Sequence, residues 1–325
     1  MKEKSTFTSK KITSKTIKRK TPTKSKTSNI KKNKSKKDNS IFANQEIKQD
    51  LQSFYNSEAK KYAETRKKFW HEEKALLDAI TPLFTTPSAS PLPLTGEKNL
   101  PLCEERGTAC GGEVVKKIRV LEFWCWSGRF ATLLNQQFPW QFDYVWIDLS
   151  KELLSYASKE NPNLTFLQWD ITKFITNFEQ ESFNLIVWTS SFQHIPTTKE
   201  RSFLMKHFYR LLDYDGILLM TNWSLSDWFI KKNWKIVLKS RILSRFKMNK
   251  WSARDLMVPR TDNQWKIYER FYHFFSLKEL ERLAIFSGLT IKTNTYINEN
   301  GEFTDDEKVS RSSLFIAEKN PIINQ

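Results

Sequence analysis

At 325 residues the chain suits one large α/β domain with appendages, and its net charge of +17 is concentrated at one end. Residues 1–40 hold fourteen Lys, one Arg, Glu3 and Asp38, or +13 of that charge, with almost no large apolar side chain, which excludes a buried core there. Three cysteines without metal-like pairs (Cys103, Cys110, Cys125) exclude a disulfide framework and a zinc site, and the lack of any run of about 18 apolar residues excludes a membrane span; a cytoplasmic protein without membrane contact is expected.

In chain order, residues 1–43 are expected to be a disordered basic tail, either a solvated segment or an arm that binds polyanions through counterion release. Residues 44–81 carry apolar positions at helical spacing, with Ile47, Leu51, Phe54 and Tyr55 first and Leu76, Leu77 and Ile80 later, and Pro82 is expected to end the helix. Five prolines and four glycines make residues 82–116 a flexible insertion.

Strand-like and helix-like segments then alternate. Strands are predicted over Ile118–Phe123, Tyr144–Asp148, Leu164–Gln168, Phe183–Trp188 and Ile217–Thr221, with helices from about Arg129, from Ser150 and over Glu200–Leu212. An aromatic and basic insertion occupies about 223–270, a helix runs from Ser276 to near Gly288, and Leu289–Tyr296 with Ser312–Ala317 form a closing antiparallel hairpin. The alternation predicts a Rossmann-like α/β domain over 117–320, with a mainly parallel sheet covered by helices on both faces.

The first strand ends in Glu122-Phe123-Trp124-Cys125-Trp126-Ser127-Gly128-Arg129. That run resembles the acidic-x-Gly-x-Gly-x-Gly motif of class I S-adenosylmethionine (SAM) dependent methyltransferases, with tryptophan at two of the three glycine positions. Tyr144-Val145-Trp146-Ile147-Asp148-Leu149-Ser150 is similar to that family's Tyr-Val-Gly-x-Asp-x-Ser, and Phe166-Leu167-Gln168-Trp169-Asp170-Ile171 to its x-Gly-Asp-hydrophobic segment. The resemblance implies SAM as cofactor, held by Glu122, the loop residues Trp124, Cys125, Trp126, Gly128 and Arg129, then Asp148 and Leu149, and Asp170 and Ile171. Within it Asp148 accepts from the ribose hydroxyls, Asp170 meets the adenine amine and Ile171 packs on the ring. A carboxylate suits the ribose because it is acceptor-only. The alternatives are a helix-end charge for Asp148 and turn chemistry for Asp170.

Tryptophan thus replaces the expected glycine at 124, 126, 146 and 169. Glycine is usually about 7% of residues, which predicts roughly 23 here; the chain has 8 Gly and 12 Trp. Both imbalances point to UGA codons that mean glycine in the source and have been read as tryptophan, with Trp140 and Trp188 as further instances. Trp70, Trp223 and Trp228 stand where an aromatic is apt.

Ser191-Phe192-Gln193-His194-Ile195 and Arg210-Leu211-Leu212-Asp213-Tyr214-Asp215-Gly216 resemble further segments of the same family. Tyr62-Ala63-Glu64-Thr65-Arg66 with Trp70, Thr221-Asn222-Trp223-Ser224-Leu225, and Arg270-Phe271-Tyr272-His273-Phe274-Phe275 are similar to segments of tRNA methyltransferases that esterify 5-carboxymethyluridine at the wobble position. That likeness implies tRNA as substrate and, as for some relatives, a small activator subunit. It makes Arg66, Arg270, Tyr272 and His273 candidate substrate contacts, the arginines because a guanidinium grips carboxylate or phosphate in a fork. An exposed structural role for the arginines and a satisfied aromatic-cluster role for His273 are the alternatives; His194 lines the cofactor mouth or takes part in the chemistry. A carboxylate acceptor is ionised at pH 7 and needs positioning more than a base. Two other functions remain open: methylation of a small metabolite, and an inactive RNA-binding scaffold if the tryptophans are native.

Overall fold

The computed structural model describes residues 31–65, 72–85, 117–124, 128–139, 141–246 and 251–320. The chain divides into two units, 1–43 and 44–325; of the first only the helical stretch from Lys31 is described, and the expected insertion at 82–116 lies outside the described residues from 86 on.

Two helices precede the sheet, α1 (Lys31–Thr65) and α2 (Glu73–Thr85). The helix α1 starts earlier than apolar spacing predicts, because spacing marks only residues that pack, whereas lysine is a good helix former without packing. From residue 44 on, α1 buries Ile47, Leu51, Phe54 and Ala59. The expected stop at Pro82 is corrected: α2 continues through it to Thr85. A proline in the last turn forfeits one hydrogen bond, and here the turn is held by Phe84, whose ring stacks on Phe138 at 4.1 Å between centroids.

The strands are β1 (Ile118–Phe123), β2 (Phe142–Asp148), β3 (Thr165–Gln168), β4 (Phe183–Thr189) and β5 (Leu212–Trp223), joined by α3 (Arg129–Gln137), α4 (Lys151–Glu160), the one-turn α5 (Ile171–Phe174) and α6 (Thr198–Leu211). The helix α6 starts on Thr197, whose Oγ1 accepts from the Glu200 amide at 3.1 Å and donates to the Glu200 carboxylate at 2.8 Å. After β5 come α7 (Asp227–Lys232), α8 (Trp234–Arg245) and the hairpin β6 (Asp255–Thr261) with β7 (Ile267–His273), then α9 (Leu277–Ser287), β8 (Thr290–Asn298), the two-residue β9 (Phe303–Thr304) and β10 (Ser310–Glu318). Strands β1 to β5 are parallel in order β3-β2-β1-β4-β5, and β10 pairs antiparallel with both β5 and β8. The predicted Rossmann-like sheet and its antiparallel close are therefore present.

Apolar clusters line both sheet faces, one around Leu121, Phe123, Ile186, Trp188 and Phe208, the other around Val120, Trp146, Leu185 and Leu219. The aromatic insertion forms a third cluster with Leu225, Phe229, Val237, Leu256, Tyr272 and Phe274. Among the described residues no helix is long and apolar enough to cross a membrane.

Candidate functional site

The strand order reverses between β1 and β4, so adjacent connections leave on opposite faces and open a crevice at the carboxyl ends of the strands. Trp124 follows β1 there, Asp148 ends β2, and Ser191 and His194 follow β4. Leu51, Gln52 and Tyr55 cover the crevice from one side of α1. Asp148 is buried, and its Oδ1 accepts from the Ser150 amide at 2.7 Å. Burial pushes its carboxyl up to about 7, against the opposing pull of the Ser150 and Leu149 amides. Ser150 itself caps α4, so the cap role goes to the serine and the carboxylate is left facing the crevice. Leu149 also lines the crevice, and its carbonyl accepts from Gln52 at 2.7 Å.

The other expected cofactor contacts separate. Glu122 is buried within the sheet and takes a hydrogen bond from the Tyr144 hydroxyl instead of lining the crevice. Gly128 turns the chain at φ +82 ahead of α3, and Arg129 is the buried first residue of that helix. Asp170 caps α5 by accepting from the Thr172 amide at 3.1 Å and is salt-bridged to Lys48 at 3.1 Å. Ile171 is fully buried in the core beneath it. Neither lines the crevice as Trp124 narrows it. Cys125, Trp126 and Arg66 lie outside the described residues.

Arg270 and Tyr272 are on one face of β7, where side chains alternate. The Arg270 guanidinium, 1% exposed, stands 4.6 Å from the Phe54 ring centroid and 5.2 Å from that of Tyr272, and donates to the Tyr55 hydroxyl at 3.3 Å. Its Nε has no partner and no carboxylate pairs with it, although a guanidinium keeps its charge. Tyr55 Oη is 3.3 Å from His194 Nε2, and His194 Nδ1 is 2.7 Å from the Phe271 carbonyl. A carbonyl only accepts, so the imidazole proton is on Nδ1 and Nε2 accepts from Tyr55. Burial first, then the Arg270 charge, lowers His194 to about 3, which makes it a neutral acceptor.

His273 is corrected as a substrate contact. It points to the other side of β7, with Nδ1 2.5 Å from Asp255 and Nε2 2.8 Å from Glu279, so its ring is a bridge between the hairpin and α9. Gln52, Leu51 and Ser191 were not among the expected contacts; the spacing of Lys48, Leu51, Gln52 and Tyr55 along one side of α1 is the signal that would have found the first two.

Beyond Tyr272, whose ring stacks on Trp223 at 5.3 Å, a second cavity of about 450 Å³ lies against Trp223, Trp228, Lys232, Arg260, Arg311 and Glu72. Lys232 and Arg311 both stand over the Trp228 ring, at 5.0 and 4.5 Å. Lys232, Arg260 and Arg311 outnumber the one carboxyl in this wall, Glu72, which burial raises to about 7.

The donor set of the crevice fits a cofactor ribose, for Asp148 offers a buried carboxylate to hydroxyl donors. The space does not. With Trp124 as its wall the crevice holds about 20 Å³, roughly enough for one water.

The raised carboxyl of Asp148 has a pH consequence. Its folded pKa of about 7 exceeds the ordinary 3.8, so its contribution to stability is full below pH 4 and is lost as pH rises to 7, on the order of 4 kcal/mol. Comparison of urea midpoints for the parent and Asp148→Asn between pH 4 and 8 isolates this group from Glu72 and His194. The variant should gain stability relative to the parent across that window, and an unchanged difference would refute the shift.

Residues 120–216 match the family model described as a methyltransferase domain. The malonyl-[acyl-carrier protein] O-methyltransferase of Paenibacillus sp. (strain JDR-2) is 29% identical over 108 residues, 32% of this chain and 38% of that relative, so the match spans less than half of the relative's length. A second protein of that name, from Ilyobacter polytropus, is 22% identical over 196 residues, 59% of this chain and 69% of its own. The solved DhpI–SAM–HEP complex superposes with a TM-score of 0.50 at 14% identity, covering 84% of this chain and 97% of that one, a likeness of fold.

Proposed function

We propose that this chain is a class I, SAM-dependent methyltransferase that esterifies a carboxylate, a reading supported by the match of residues 120–216 to the methyltransferase domain model and by the sheet order. The observation that carries the acceptor is Arg270. Its charge is buried among aromatic rings and bonded to the Tyr55 hydroxyl with no carboxylate beside it among the described residues, so an acceptor carboxylate would supply the counter-charge. SAM, when bound, supplies an electrophilic methyl group. The protein's part is to hold the carboxylate: Arg270 would grip it, Tyr55 would keep the guanidinium in place, and neutral His194 would fix Tyr55 without adding a positive charge. The roles follow from a nucleophile that needs no deprotonation.

The acceptor we propose is 5-carboxymethyluridine in tRNA. Support comes from the sequence likeness at Arg270–Phe275 and from the second cavity, whose tryptophans suit base stacking and whose cations suit phosphates. The names of the two relatives favour a second reading, a carboxylate presented on a carrier protein.

Both readings are tested by one experiment on the chain with glycine at 124, 126, 146 and 169, given methyl-labelled SAM with either bulk tRNA or malonyl-loaded carrier protein. Alkali-labile label on the wobble uridine, released as methanol, is the expected result. Label on the carrier alone would establish the second reading, and alkali-resistant label would refute ester formation.

A further inference from the structure

The crevice that should hold a cofactor is narrowed by the Trp124 indole, and Trp124 shares an anomaly with two other buried tryptophans. Trp124 has φ +48, a conformation that glycine adopts freely and that a bulky L-residue rarely does. Trp146 is fully buried, and a Cβ added to Gly128 would lie 2.6 Å from its ring, so the indole fills the space between β2 and the turn into α3. The three tryptophans in the buried set are Trp124, Trp146 and Trp188, and in all three the indole N–H has no acceptor. A buried tryptophan ordinarily finds a partner for that group.

Most of the remaining tryptophans differ; Trp265 shares the positive φ, at +64, but it is 87% exposed and is not part of the crevice lining. Trp228 and Trp234 are about half exposed with cations over their rings, and Trp223 stacks on Tyr272, all contexts that suit an indole. Trp169 is partly buried and stacks on Phe174 at 5.2 Å, so its inclusion rests on the sequence pattern; Trp126 lies outside the described residues and rests on the same ground.

We infer that positions 124, 126, 146, 169 and 188 are glycine in the protein as its source makes it, and that UGA is decoded there as glycine. UGA is one base away from both the tryptophan codon UGG and the glycine codon GGA, so one change of decoding accounts for every position. The consequence is a cofactor site opened over Asp148 by the loss of the Trp124 indole. This inference rests on the methyltransferase reading for the identity of the cofactor and for positions 126 and 169.

The test is peptide mass spectrometry of the protein purified from its native source. Trypsin would release Val120–Arg129, Phe130–Lys151, Glu160–Lys173 and Phe174–Lys199, which contain the five positions, and Leu211–Lys231, which contains Trp223 and Trp228 as an internal control. Glycine masses in the first four and tryptophan masses in the control are expected. Tryptophan at 124 or 146 in the native peptides would overturn the inference. Glycine there in a chain that takes up no SAM would leave the inference standing and remove the function instead.

Discussion

Replacement of Trp124, Trp126, Trp146 and Trp169 by glycine together should take SAM binding from undetectable to the micromolar range by calorimetry. A micromolar dissociation constant corresponds to about 8.2 kcal/mol. Overpacking alone costs roughly 1 to 3 kcal/mol per site, so four such sites erase most of it, and a crevice of about 20 Å³ has no room for a nucleoside in any case. Single replacements should therefore recover little, Trp124→Gly most among them because it forms the wall. Full binding by the parent chain would refute the blockage.

Arg270→Met, made in the glycine-bearing chain, should lower kcat/KM for the acceptor by about 100-fold or more while the unfolding midpoint stays at or above that of the unmutated protein. The asymmetry follows from burial. Loss of one partner of a buried ion pair costs about 3 to 5 kcal/mol in the complex, whereas the free protein loses a charge that has no carboxylate partner and keeps the apolar contacts of the side chain. SAM affinity should not change, since Arg270 is absent from the crevice wall. Equal loss of activity and stability would make Arg270 a structural residue.

Much of the fold was legible because strand ends and helix starts carry local signals. The acid at the end of β2 was readable in the same way: Ser150 supplies the cap, which frees Asp148. What local signals do not carry is the direction a side chain faces. Asp170 and Ile171 occupy the expected stretch of chain, where Asp170 pairs with Lys48 and Ile171 packs in the core, neither of which the local sequence announces. Tyr272 and His273 could not both face the substrate, since neighbours on a strand point to opposite sides; that was decidable from period two alone. Gln52 and Leu51 were invisible for a different reason, because they reach the crevice only through the docking of α1, a tertiary event.

The third apolar cluster, formed by α7, α8 and the β6–β7 hairpin, contains almost nothing from the main sheet. The wall proposed to meet the acceptor therefore has a foundation of its own. Changes within it can alter which molecule is accepted without disturbing the strand ends over which the methyl donor would lie. A lineage could exchange one acceptor for another by revising this annex, and distant relatives would keep a common floor under unlike roofs.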